Sequence, residues 1–215
     1  MIETYPTAEA LAEAAAHGVA AQLARGLKTR GRAALVATGG RSPGGVYDRL
    51  TAADVDWARI IVTLSDERCV PPDDAASNAR LVRERLFTGE GRKAHLLPLW
   101  PEPEAGALEA LLPFDAVLLG MGEDGHVASL FPSAAALGET ERLSAWVPEG
   151  LGAPPLARIT LTLPALTQAR EVFVLIAGDA KRTVVERALA GDDLPVRRIL
   201  VQDKVPVRVL WAPEH

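Results

Sequence analysis

The sequence predicts an α/β protein in which a mainly parallel sheet is covered by helices on both faces. Three observations carry this. Four short runs, Ala33–Ala37, Ile60–Leu64, Ala116–Leu119 and Val172–Ala177, are apolar without alternation, as strands buried on both faces are. Helical patterns fall between them, at Ser77–Phe87 and Asp179–Ala190, and strands alternating with helices imply parallel pairing through right-handed crossovers. A long amphipathic segment, Thr7–Arg30, precedes the first strand.

In that first segment Leu11, Ala15, Val19, Leu23 and Leu27 recur every four positions and so share one face of a helix, which Thr7 is placed to cap. Ala33–Ala37 runs into a Gly-rich loop and a helix-like Val46–Leu50. Ile60–Leu64 runs into a charged loop that ends at the Ser77–Phe87 helix. Ala116–Leu119 leads to a second Gly-rich loop closing on His126, after which Val127–Phe131 reads as a helix start. Weaker strand patterns occur at Leu143–Val147, Arg158–Leu163 and Val207–Trp211. The Pro- and Gly-rich pieces Pro101–Gly106 and Pro148–Pro155 are too short to separate domains, so residues 1–215 read as one domain.

Bulk properties narrow the function classes. The formal charge of −5 offers no net positive field for nucleic acid or an acidic membrane surface, so neither is expected as a partner. An anionic substrate must then be met by a local cluster of Arg and Lys. The single Cys69 cannot form an internal disulfide, and the N-terminal MIETYPTAEALAEAAAHG lacks the basic-then-apolar layout of a leader. A cytoplasmic location is the expectation. His17, His95, His126 and His215 are scattered, with no HxH or HExxH spacing, so no metal site is expected.

Three of the strands end in loops of unusual composition, and in an open parallel sheet ligands bind beyond the carboxyl ends of the strands. The first loop is Thr38-Gly39-Gly40-Arg41-Ser42-Pro43-Gly44-Gly45. A tight turn alone explains such glycines, but Arg41 and Ser42 beside them, and a helix following, suit a phosphate. The second is Ser65-Asp66-Glu67-Arg68-Cys69-Val70-Pro71-Pro72, leading to Ser77-Asn78. A surface ion pair would account for its acids and Arg; orientation of a substrate or catalytic group is the functional alternative. Cys69 reads as a spectator thiol, because no activating partner can be assigned to it. The third is Gly120-Met121-Gly122-Glu123-Asp124-Gly125-His126. It presents one imidazole, a group that gives and takes protons near neutral pH. Asp66, Glu67 and Asp124 are all candidates to orient that ring.

Four stretches, GGRSP, SDERCVPPDDAASNARLV, FDAVLLGMGEDGHVASLFP and RITLTLPAL, occur in the order in which they closely resemble the 6-phosphogluconolactonases. The resemblance covers nearly the whole chain and implies a three-layer α/β/α, Rossmann-like fold. The implied activity is hydrolysis of 6-phosphoglucono-δ-lactone to 6-phosphogluconate, with no cofactor and with a phosphorylated sugar lactone as the small-molecule partner. His126 would be the base and Arg68 the cation facing the lactone, with Asp66 and Asn78 lining the pocket. Gly122, Asp124 and Gly125 belong to the catalytic loop. Gly39, Gly40, Arg41 and Ser42 match the phosphate loop, with Arg41 where a Ser is usual. Arg158 and Lys181 are expected to hold the phosphate. The oligomeric expectation is monomer or homodimer.

Two rivals are kept. An isomerising deaminase of amino-sugar phosphates shares the Asp-Gly-His loop, but it continues with a Glu where this chain has Phe131 and tends to carry an aromatic where this chain has Arg68. A sugar-phosphate-binding module without catalysis would lose the catalytic residues, yet His126 is present.

Overall fold

The computed structural model describes residues 2–214, so His215 lies outside the described residues. In chain order the elements are β1 (Ile2–Thr4), α1 (Ala8–Arg30), β2 (Ala33–Ala37), α2 (Gly44–Leu50), β3 (Ile60–Leu64), β4 (Asp66–Arg68), α3 (Asn78–Arg85), β5 (His95–Leu96), β6 (Ala116–Gly120) and β7 (Ser144–Val147). They continue with β8 (Arg158–Leu161), α4 (Leu163–Leu166), β9 (Val172–Ala177), α5 (Asp179–Ala190), α6 (Arg197–Leu200) and β10 (Val207–Ala212).

Seven strands form one sheet in the order β1-β10-β9-β6-β2-β3-β5, and every neighbouring pair is parallel. All residues of β2 are buried, as are all but the last of β9. Both faces of the sheet are therefore covered, and the predicted three-layer α/β/α class holds. Each fully buried Val, Leu or Phe in these strands contributes about 1.5–3 kcal/mol relative to exposure. The long N-terminal helix starts where the pattern placed it, with the Thr7 hydroxyl accepting from the Ala10 N–H at 3.2 Å. It packs on α2, β2 and β10.

One buried carboxylate fastens this helix to the sheet. Asp115, fully buried just before β6, accepts from the Ala34 N–H at 2.8 Å and from Arg170 Nε at 2.9 Å, and pairs with Arg30 at the end of α1.

The structure adds two features to the sequence pattern and overturns a third. A separate three-stranded antiparallel sheet, β4-β8-β7, stands beside the main one. The weaker strand patterns at 143–147 and 158–163 belong to it. Second, β1, β4 and β5 were not foreseen: they are two or three residues long, and β4 is all charged, so no periodicity marks them. Third, no helix follows His126. Val127 instead makes tight bridges to Met121 and Leu130, and Ala128 takes φ 50°.

Ser65 joins the two sheets. Its N–H donates to Ala37 O of β2 at 2.7 Å, while its carbonyl accepts from the Leu161 N–H of β8 at 2.8 Å. The buried apolar residues of both sheets form one contiguous core.

Candidate active site

The strands β9, β6, β2 and β3 are consecutive neighbours and run the same way, so the loops after them must meet at one rim. They enclose a cleft of about 230 Å³ that the small sheet closes from the side. The site residues expected from the resemblance all line it except Asp124 and Gly125, and Glu67 also lies outside the lining.

Asp124 lies directly behind the imidazole: its Oδ1 is 2.5 Å from His126 Nδ1 and also accepts from the His126 N–H at 3.1 Å. Of the three candidate carboxylates, this is the one that orients the ring. A carboxylate only accepts, so it holds the proton on Nδ1 of the neutral imidazole and leaves the Nε2 lone pair free. Gly122 makes the arrangement possible, since a Cβ there would lie 2.2 Å from His126 Cε1. The imidazole is tilted against Phe131, ring centroids 4.5 Å apart. Gly125 serves the loop by its backbone: φ is 80° and its carbonyl accepts from the Val196 N–H at 2.8 Å.

Asp66 and Glu67 do different work. Glu67 is buried and accepts from the N–H groups of Arg68, Asn78 and Ala79, each at 2.7 Å, and from the Ser77 hydroxyl at 3.0 Å. It neutralises the start of α3, where unpaired N–H groups favour an anion. Asp66 accepts from the Ser65 and Ser129 hydroxyls at 2.8 and 2.6 Å and lies 3.7 Å from Arg158 Nη1. Asn78 donates to the Asp66 carbonyl at 2.8 Å, accepts from Arg68 Nη1 at 2.9 Å, and presses so closely on the first loop that a Cβ at Gly39 would sit 2.0 Å from its Oδ1.

Arg68 and Arg158 are directly paired across β4 and β8. Arg158 is buried, which lowers its pKa from the ordinary arginine value; Asp66 opposes that shift and Arg68 adds to it. Lys181, in the first turn of α5, and Arg41, exposed on the first loop, complete the charged lining. The cleft thus carries four cations, Arg41, Arg68, Arg158 and Lys181, against one carboxylate, Asp66. In a chain of net charge −5 this is the local cluster that an anionic substrate requires.

Sequence reasoning missed Ser129 and Ala153, and noted Phe131 only as a departure from the deaminases. Ser129 is buried three residues after His126 and bonds Asp66; a lone Ser in an apolar run gives no signal. Cys69 sits beyond the cleft lining, and burial pushes its thiol pKa up, Glu67 adding to the effect. Among the described residues no group of three His, Cys, Asp or Glu side chains is placed to hold a metal ion, and no helix is long and apolar enough to cross a membrane.

A family model described as glucosamine-6-phosphate isomerases/6-phosphogluconolactonase matches residues 6–211. The chain is similar to the 6-phosphogluconolactonase of Caulobacter vibrioides, 41% identical over 98% of this chain and 97% of that protein. That of Rhizobium meliloti is 36% identical over 95% of each. Among solved structures, a 6-phosphogluconolactonase from Shewanella baltica superposes with a TM-score of 0.89 at 36% identity, covering 99% of this chain and 97% of that one. The chain belongs to the glucosamine-6-phosphate isomerase/6-phosphogluconolactonase family.

Proposed function

We propose that this chain hydrolyses 6-phospho-D-glucono-1,5-lactone to 6-phospho-D-gluconate, the lactone-opening step of the oxidative pentose phosphate pathway. The observation that carries the reading is the Asp124-oriented His126 in a cleft lined by four cations. His126 Nε2 takes a proton from water as the oxygen attacks the lactone carbonyl. Arg68 faces the oxyanion of the tetrahedral intermediate, a placement worth about 3–4 kcal/mol for one well-aimed donor. Collapse breaks the bond to the ring oxygen, which takes the proton back from the imidazolium and leaves as the C5 hydroxyl. The product carries one new alcohol and one carboxylic acid, which gives up its proton to solvent at neutral pH to become the carboxylate; no electrons change hands, so no cofactor is needed.

The remote phosphate would be held by Lys181 and by the Gly40, Arg41 and Ser42 loop, fixing orientation as remote binding groups do. All these residues come from one chain, so the site works equally in a monomer or a homodimer, and residues 1–215 act as one domain. A cytoplasmic location is part of this proposal and suits the lone Cys69, and no nucleic acid is needed.

The deaminase reading is disfavoured by Phe131, an apolar ring against the imidazole where those enzymes place a carboxylate. Purified protein should remove freshly made lactone faster than its spontaneous hydrolysis, with the rate unchanged after exhaustive EDTA treatment. It should release no ammonia from glucosamine 6-phosphate. A lactone decay equal to the spontaneous rate would sink the lactonase reading, and ammonia release would favour the rival.

A further inference from the structure

The family resemblance groups Arg158 with Lys181 at the phosphate. The geometry points to a different assignment: we infer that Arg158 works at the reacting end of the substrate, where it and Arg68 form one receptor for the lactone carbonyl and for the carboxylate it becomes. This deepens the lactonase reading and rests on it.

Three independent contacts tie Arg158 to that end. It stands directly opposite Arg68 in the antiparallel register of β4 and β8, where facing side chains start only about 5 Å apart. Its Nη1 lies 3.4 Å from Ser129 Oγ and 3.7 Å from Asp66 Oδ2, both bonded to each other and the first only three residues beyond His126. Its guanidinium covers the Phe131 ring, 5.4 Å from the centroid, and that ring lies against the His126 imidazole. Lys181, by contrast, is delivered by α5 behind β9, on the far side of the β6 loop that carries His126.

Two like charges placed directly opposite in a sheet repel and destabilise it. A single carboxylate, Asp66, already engaged by two serines, compensates them incompletely. Neither guanidinium is saturated: the buried Nε of Arg68 and the buried Nε of Arg158 find no partner among the described residues. Such a pair is useful when an anion forms between its members. On this reaction path two do, the tetrahedral oxyanion and the product carboxylate, and planar guanidinium groups match a carboxylate closely. Arg158 Nη2 is also bound to Pro154 O at 2.7 Å, which holds it facing the cleft before substrate arrives.

The test is calorimetric binding of two ligands to the intact chain. One is 6-phosphogluconate; the other is glucitol 6-phosphate, which keeps the phosphate and chain but replaces the carboxylate by an alcohol. Wild-type protein should prefer the aldonate. In Arg158→Met that preference should fall by about 10- to 100-fold, the worth of a charged hydrogen bond, while affinity for glucitol 6-phosphate stays within about threefold. Lys181→Met should weaken both ligands alike. If Arg158→Met also weakens both alike and keeps the preference, Arg158 sits on the phosphate and the inference is overturned. Should Arg158→Met fail to fold by circular dichroism, Arg158→Lys keeps the buried charge but not the planar fork, and the same loss of preference is expected. Wild-type protein binding neither ligand would count against the lactonase reading itself, a separate result.

Discussion

The two sheets are built from opposite materials. The seven-stranded sheet is apolar on both faces through its central strands, its strand-borne ion pair, Glu3 with Arg208, lying at the β1–β10 edge, and the buried Asp115, with Arg30 and Arg170, fastens α1 to the strands. Its contribution to the site is made by loops at the strand ends, above all the one that presents His126. The three-stranded sheet places charge in the strands themselves: Asp66 and Arg68 on β4, Arg158 on β8. The large sheet thus fixes where the site is, and the small one fixes its electrostatics. A buried charge beside the first sheet should therefore be a matter of stability, and one in the second a matter of substrate.

The largest expected effect tests the loop of the large sheet. His126→Ala should keep the fold and lower kcat by about 10²-fold or more, within the range of general acid–base catalysis; near-normal turnover would remove His126 from the chemistry. Next comes the charge cluster of the same sheet. Asp115→Ala strands two partly exposed arginines and one backbone N–H, so it should cost about 3 kcal/mol in denaturant unfolding without altering the KM of the protein that remains folded. A stability change under about 1 kcal/mol would show that the cluster behaves as a surface pair.

The small sheet gives the intermediate case. Glu67→Gln replaces a carboxylate that accepts four hydrogen bonds at the start of α3 with an amide that must turn a donor towards some of them. A loss of about 1–3 kcal/mol is expected, together with a fall in kcat, because Arg68 and Asn78 are positioned through it. Stability loss with unchanged kinetics would separate the cap from the site.

The smallest effect concerns the turn that feeds β7. Glu139 accepts from the N–H groups of Thr140, Glu141 and Arg142 and from the Arg142 guanidinium. The Glu141 N–H, then the Arg142 side chain and N–H, depress its pKa from 4.5 to about 2. A depressed carboxylate stabilises the fold above its unfolded pKa and loses that contribution as pH falls through the folded value. The stability gap between the parent and Glu139→Gln should therefore be constant above pH 4.5 and close as pH falls towards 2. A gap that persists at the acid end would mean the turn does not depend on the carboxylate charge.

The four central strands and α1 were legible in the sequence because burial on both faces leaves an unbroken apolar run, and burial on one helical face leaves a four-residue rhythm. His126 was legible because a titratable ring at the end of a Gly-rich loop stands out in composition. What only the tertiary structure decided is pairing between distant segments. Asp66, Glu67 and Asp124 are equivalent as letters; burial under Ser129, capping of α3 and contact with Nδ1 gave them three separate tasks. Arg68 and Arg158 are ninety residues apart by number, and nothing local to either marks the other as its neighbour. Their meeting depends on the chain leaving the parallel sheet at Ser65 and on the register of β4 against β8. Local periodicity reports burial, whereas strand register is a long-range agreement that no single stretch of sequence carries.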